Sequence, residues 1–397
     1  MSNSQSIHGV RLFTASAFFC MFIIGFADNL KGPTMPALLK EMNFSYSQGG
    51  TILLAVYLGF FAATLLTGVL ADVAGRRMVL LASASAILLG IVGFVTFKTF
   101  WGITLSFFVI GLGTGGFDLG GNSIIVDLQP KDKGRYLSLI SVVHGVSAMI
   151  SPLLAGSFIA GSLGWRPGYL IVLALAVIMI VFAGLTPYPA GAGTFKEGMN
   201  FKTLGKQIAM PQMRWLFILM MAYVGVEMSM ASWLPAYLQE AHGMSVRLSS
   251  QSVSLFFGGL MVGRLVGSFV IHRIGYIRIL LLGSTGGLAC LVLGLSGTAG
   301  MTFFLPLSGV FFSITFPVTT AFTTDMHQDN VGSMIGLLFS FAGLGGAIGP
   351  WLIGLLIDAA GMQVGFSLMI LYTVLVLASV LMIQKRDRHQ EAVEETA

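Results

Sequence analysis

Charge is scarce in this chain: Asp, Glu, Lys and Arg together supply 9% of its 397 residues, while 55% are apolar. That balance leaves too little polar surface to cover a water-soluble globule of this length, so lipid is the expected solvent. Cysteine is nearly missing. Cys20 and Cys290 both sit inside apolar runs, which argues against a disulfide framework and for a packing role. The first apolar run lacks a small-residue cleavage site and is too long for a signal peptide, so it is expected to stay as a span. The chain also lacks a Gly-x-x-x-x-Gly-Lys-Ser/Thr loop, a Cys pair at ligand spacing, and any evident nucleophile and base. ATP-driven transport, a metal site and intramembrane enzyme chemistry are therefore disfavoured, and no cofactor is expected. The net charge of +5 comes as short clusters between apolar runs, a pattern of membrane topology and not of nucleic-acid binding.

What is present is a series of apolar stretches, each long enough to cross about 30 Å of hydrocarbon. Twelve are read, at 11–39, 47–71, 77–97, 101–127, 136–160, 168–188, 214–240, 248–271, 279–297, 301–326, 333–358 and 364–384. The expected fold is an all-α membrane protein of two six-helix bundles, 1–188 and 214–397. A cytoplasmic linker at 189–213 carries Lys196, Lys202 and Lys206, and a short cytoplasmic tail ends the chain. With both termini in the cytoplasm, fifteen Lys and Arg fall inside and four, Lys40, Lys98, Arg166 and Arg247, outside. The opposite orientation would invert that positive-inside bias. A multi-pass protein of the plasma membrane, monomeric, is expected.

The halves repeat. Residues 57–75 read YLGFFAATLLTGVLADVAG and 257–275 read FGGLMVGRLVGSFVIHRIG, with Gly59 matching Gly259 and Gly75 matching Gly275. In a second register Asp127, Gly134, Gly145, Pro152 and Gly156 reappear 198 residues on as Asp325, Gly332, Gly343, Pro350 and Gly354. Ordered matches of Asp, Pro and Gly point to a duplicated six-helix unit.

The loop after the second span reads Gly68-Val-Leu-Ala-Asp72-Val-Ala-Gly75-Arg76-Arg77. A tight glycine turn lets two helices approach, Asp72 can cap or pair with a neighbour, and the arginines suit an anionic membrane face. This loop resembles the signature of the major facilitator superfamily, which implies that Gly68, Asp72, Gly75, Arg76 and Arg77 act in gating; topology alone is the plainer role for the arginines. In the second half His272 stands for Asp72 and Tyr276 for Arg76, so a weaker latch is expected.

Three further segments resemble the fucose, galactose and glucose proton symporter branch of that superfamily over nearly the whole chain. They are Gly25-Phe-Ala-Asp28-Asn-Leu-Lys31-Gly-Pro-Thr-Met-Pro36, Gly115-Gly-Phe-Asp118-Leu-Gly-Gly-Asn122, and Tyr223-Val-Gly-Val-Glu227 with Trp233-Leu-Pro-Ala-Tyr237. The resemblance implies that Asp118 couples protons, that Asn122 one turn on contributes to a sugar site, and that Glu227 is the glutamate shared by glucose-carrying members. Gly32 stands where fucose members carry an acid, with Asp28 one turn earlier and Lys31 alongside. Two marks of drug antiporters are missing: Phe107 replaces an Arg ahead of the fourth-span Gly run, and Ser151 replaces the Gly before Pro152.

Five ionisable side chains, Asp28, Lys31, Asp118, Glu227 and Arg264, lie within spans. Each unpaired charge there costs about 2.5–3.5 kcal/mol on insertion scales, so each must face an interior. Asp28 with Lys31, Asp118 with Asn122, and Tyr223 with Glu227 are spaced to share helical faces. An apolar setting favours the neutral form of a carboxyl, which suits proton coupling by Asp118 and Asp28. A permanent ion pair of Asp118 with Lys31 or Arg264 is the competing role. Sugars need polar groups and an aromatic face, which Asn122, Glu227, Tyr223, Trp233, Phe26 and Lys31 can offer. Trp233 can equally be an interfacial anchor, Glu227 a helix tie, and His144 a packing residue or part of a proton path. The expected activity is proton-coupled uptake of a monosaccharide or similar hydroxylated solute by alternating access. A multidrug or metabolite exporter and a solute sensor on the same fold stay open as alternatives.

Overall fold

A computed structural model of the chain describes residues 3–129, 131–185, 211–326 and 331–394; the linker lysines 196, 202 and 206 lie outside the described residues. Among the described residues the backbone is helical throughout, with short turns between helices and no strand. This is the economical answer to hydrocarbon, because a helix satisfies its own backbone N–H and C=O groups. Among the described residues twelve helices are long and apolar enough to cross a membrane: α1 Arg11–Met42, α2 Tyr46–Gly68, α3 Val73–Thr96, α4 Phe100–Leu128, α5 Lys133–Ala160, α6 Arg166–Leu185, α7 Gln212–His242, α8 Val246–Ile274, α9 Tyr276–Gly294, α10 Ala299–Met326, α11 Met334–Ala360 and α12 Met362–Arg386. They answer one for one to the apolar runs of the sequence. The chain forms two compact units, α1 to α6 with Ser245–Ser254 in one, and α7 with the residues from Leu255 onward in the other.

In the first unit α1 packs along α4, α5 and α6, and α4 against the α2–α3 pair. Helix ends are fixed by recognisable devices. Ser45 and Gln48 form a reciprocal capping box at the start of α2, satisfying two donors that the helix leaves open. At the other end of α1, Glu41 accepts Arg166 Nη2 at 2.6 Å and Trp165 Nε1 at 2.7 Å, and the guanidinium lies 4.3 Å from the Trp165 ring. Behind this clasp Phe94, Phe107, Trp165 and Tyr169 form an aromatic cluster, with Phe94 edge-on to Phe107 at 4.8 Å. The residue in the place of an antiporter arginine is thus apolar packing.

In the second unit α7 is the central helix, packed against α11 and α12, with α9 against α10 and α12. Trp233 is fully buried and donates its indole N–H to the Pro350 carbonyl of α11 at 2.8 Å. The interfacial-anchor role is therefore replaced by a helix-to-helix tie, because the indole N–H finds its partner inside the protein. Tyr237 bonds Gln363 at 2.9 Å and stacks on Phe366 at 4.3 Å.

The repeat is written in the backbone. Gly75 has φ 81°, ψ 165° and Gly275 has φ 79°, ψ 166°, a conformation essentially restricted to glycine. At both points a single non-helical glycine breaks the helical run, Gly75 near the start of α3 and Gly275 between α8 and α9. The span read at 301–326 is interrupted: a 3₁₀ turn at Ala299–Phe303 leads into Phe304–Phe312, and the helix resumes at Thr315–Met326. Pro317 explains the break, since it has no N–H to return to the carbonyl four residues back, that of Ser313.

Close approach of α7 and α11 depends on Gly345, where an added Cβ would strike the Met221 backbone carbonyl. Gly345→Ala should cost about 1–3 kcal/mol of stability, as overpacking does, and lower the melting temperature of the purified protein in detergent. Gly336→Ala on the same helix, facing open space, should leave it unchanged or raise it.

Candidate functional site

Each unit carries its own buried polar cluster. In the first, α1 is a good helix through Asp28 and Lys31 and meets Pro33 and Pro36 a turn later. The three-residue spacing brings Lys31 Nζ to 2.8 Å from Asp28 Oδ1. The ammonium also lies 5.0 Å from the Tyr57 ring centroid on α2, a cation–π contact that strengthens when water is excluded. Lys31 is buried, while Asp28 keeps about a quarter of its side chain open, 28%. The pair is neutralised locally.

Asp118 sits on α4 beneath a run of glycines. Its partner is Asn122, whose amide donates to the Asp118 carboxylate at 3.1 Å and to its carbonyl at 2.8 Å. No ion pair among the described residues involves Asp118. The competing role of a permanent salt bridge to Lys31 or Arg264 is not what the structure shows, since each cation is occupied by another carboxylate. Phe26 is buried and stacks on Phe22 at 6.1 Å. His144 lies half-buried on α5, its carbonyl facing Gly25 of α1.

In the second unit Glu227 on α7 and Arg264 on α8 approach to 3.9 Å, Oε1 to Nη2. Arg264 Nε donates to the Ser313 carbonyl at 3.3 Å, the same carbonyl that Pro317 leaves without its helical donor. Tyr223, one turn before Glu227, is fully buried and adjoins both charges. Of the residues put forward for the solute, Glu227 and Tyr223 are thus together, joined by Arg264; Trp233 is engaged elsewhere.

The signature loop is also resolved into contacts. Arg76 is buried and pairs with Asp127 at the end of α4. Arg77 donates to the carbonyls of Ala183, at 2.9 Å, and Gly184 at the end of α6, where a helix leaves its last carbonyls unsatisfied and partly negative. Gly68 faces open space. The backbone at Asp72 is helical, but its side chain lies outside the described residues. In the second unit Tyr276 takes the place of Arg76 and bonds Asp325 at 2.7 Å, a single phenol-to-carboxylate bond in place of an ion pair.

The model of the Major Facilitator Superfamily matches residues 17–305 and 253–397. The chain belongs to the major facilitator superfamily. Within that superfamily it is 26% identical to the glucose/mannose transporter GlcP of Bacillus subtilis over 361 residues, 88% of each chain. It is 24% identical to a glucose/galactose transporter of Brucella abortus over 388 residues, 92% of each chain. Among solved structures of the fold, a variant of the nucleoside transporter NupG superposes with TM-score 0.80 at 13% identity, covering 94% of this chain and 99% of that one. FucP in the outward conformation superposes with TM-score 0.64 at 19% identity, covering 93% and 98%. The resemblance to the sugar-transporter branch is thus present in relatives that cover 88–92% of the chain.

Three residues of these clusters escape a motif reading. Tyr57 has no spacing signal toward Lys31. Asp127 was visible as a repeated position, matched with Asp325, but not as the partner of Arg76. Ser313 is marked only indirectly, by Pro317 four residues on. Removing one member of the buried Arg76–Asp127 pair strands the other. Arg76→Met is therefore expected to cost about 3–5 kcal/mol, and Arg76→Met with Asp127→Leu to recover most of it, read by thermal unfolding in detergent.

Proposed function

We propose that this transporter takes up a monosaccharide together with a proton by alternating access, across the plasma membrane and with both termini in the cytoplasm. The observation that carries the reading is Asp118. Of the three carboxyls read as lying within spans, Asp28, Asp118 and Glu227, it is the one that no ion pair among the described residues involves, held by the amide of Asn122. A lone carboxylate in a medium of low polarity is costly, and binding a proton removes that cost. Asp118 therefore serves as the proton carrier. Asp28, bound to Lys31 at 2.8 Å, sets the local charge beside it. Asn122 lies one turn from Asp118 and links the proton site to a group able to bond the solute.

Glu227 and Tyr223 supply acceptor and donor capacity for hydroxyls, and the named relatives that carry glucose, mannose and galactose support a hexose as the class. Arg76, Asp127 and Arg77 act in gating: they are fixed to helix ends in the first unit, whereas in the second unit the corresponding contact among the described residues is Tyr276 with Asp325. Opening and closing must exchange one set of such contacts for another of similar energy.

The experiment is uptake and counterflow in proteoliposomes with labelled D-glucose, D-galactose and D-mannose, under an imposed pH gradient. Wild type should accumulate a hexose when the gradient is inward. Asp118→Asn, which cannot take up or release the proton, should keep equilibrium exchange and lose accumulation above the outside concentration. Accumulation by Asp118→Asn equal to wild type sinks the coupling role. Expulsion of a lipophilic cation with no hexose carried replaces the sugar reading with export.

A further inference from the structure

The ion pairs of this protein are not alike. Lys31 closes on Asp28 to 2.8 Å, and Arg166 on Glu41 to 2.6 Å, both within hydrogen-bonding reach. Arg264 and Glu227 stop at 3.9 Å, too far for a hydrogen bond yet close enough for strong attraction in a poor dielectric. A second anchor of the guanidinium is Ser313. Its carbonyl, deprived of a helical donor by Pro317, takes Arg264 Nε at 3.3 Å from the α10 side and fixes the guanidinium back from the carboxylate.

The gap has a chemical size. An oxygen placed about 2.8 Å from each of two atoms 3.9 Å apart meets them at an angle of about 90°, within the range a hydroxyl accepts. A hydroxyl is also the group that fits both sides, since it donates one hydrogen bond and accepts others. Glu227 accepts its proton and Arg264 Nη2 donates to its oxygen. The Arg264 side chain is 45% exposed although it lies in a span, and a charge at such depth is favoured where it meets water or solute.

We propose that Arg264 is a specificity-determining residue, which with Glu227 forms a donor–acceptor pair that clasps one hydroxyl of the solute, its separation set by the Ser313 carbonyl that Pro317 frees. This rests on the sugar reading above and adds to it: selectivity at one carbon of the sugar resides in the second unit. Tyr223, one turn before Glu227, is fully buried behind the pair. Loss of either partner leaves the other charge facing the solute alone, so the clasp discriminates against a sugar lacking that hydroxyl far more than against one altered elsewhere.

The test measures inhibition of hexose counterflow by the series of monodeoxy-D-glucoses in wild type, Arg264→Lys, Arg264→Gln and Pro317→Ala, each checked for folding by melting in detergent. In wild type one analogue should compete about tenfold or more weakly than glucose, the loss expected for a hydrogen bond to a charged group. In Arg264→Gln glucose should weaken to the level of that analogue, so that the ratio collapses toward about one. Arg264→Lys should keep part of it. Pro317→Ala gives Ser313 its helical donor back and should lower the same ratio without touching Arg264, which keeps the idea testable even where Arg264→Gln does not fold. Equal weakening of glucose and every analogue, with ratios unchanged, overturns the clasp and leaves the sugar reading intact. Absence of any hexose transport by wild type overturns both.

Discussion

A charge inside hydrocarbon has to be paired, hydrated or neutralised by a proton, and most of what is distinctive here follows from how five such side chains are disposed. Three are acids and two are bases, so complete pairing leaves one carboxyl over. The structure resolves which: Lys31 belongs to Asp28 and Arg264 to Glu227, so Asp118 is the remainder. Backbone groups obey the same constraint. Where Pro317 removes a donor, the orphaned Ser313 carbonyl finds Arg264, and where α6 ends, its carbonyls find Arg77. Polar groups freed by one local accident become anchors for charges that would otherwise be stranded.

Duplication supplies two copies of one backbone plan, and the side chains have since diverged. Gly75 and Gly275 keep the same left-handed geometry to within a few degrees, because only glycine tolerates it without strain. Around them the contacts differ in kind. Arg76 and Asp127 are a buried ion pair, costly to break singly; Tyr276 and Asp325 share one hydrogen bond at an exposed site, where solvent screening leaves about 1 kcal/mol or less. The two equivalent glycine breaks are thus flanked by contacts of unequal strength.

The fold was legible almost completely, because apolar length is a one-dimensional property and hydrocarbon enforces it. The site was legible where its logic is local. Asp28 with Lys31 and Asp118 with Asn122 lie one turn apart, and helical spacing alone predicts that they meet. Contacts between helices were not legible. Nothing in the chain says that Tyr57 lies under Lys31 or that Asp127 reaches Arg76, because those depend on helix rotation and crossing distance, which small residues such as Gly345 set through packing. Trp233 shows the same limit: an aromatic near a helix end fits an interfacial belt, a sugar platform or a buried tie equally well until the carbonyl of Pro350 is seen beside it. The interruption of α10 was within reach, since Pro317 names the carbonyl it abandons; what it could not name was the arginine that takes it.

If the proton is held at Asp118 and a hydroxyl at Glu227 and Arg264, the two events occur in different units and no atom is shared between them. Coupling then cannot be a relay from carboxyl to solute. It must be thermodynamic: each ligand shifts the balance between the transporter's conformations, and each shift is worth only the difference in that ligand's affinity for the two states. Such an arrangement makes substrate choice and proton choice separable by mutation. On that reading a change at Arg264 alters which sugar is preferred while the Asp118 charge still decides the driving force. Asn122 bears on both sides of that separation only through its free end: its amide N–H groups are engaged by the Asp118 carbonyl at 2.8 Å and carboxylate at 3.1 Å, so it is the side-chain oxygen that is left to accept a bond from a solute.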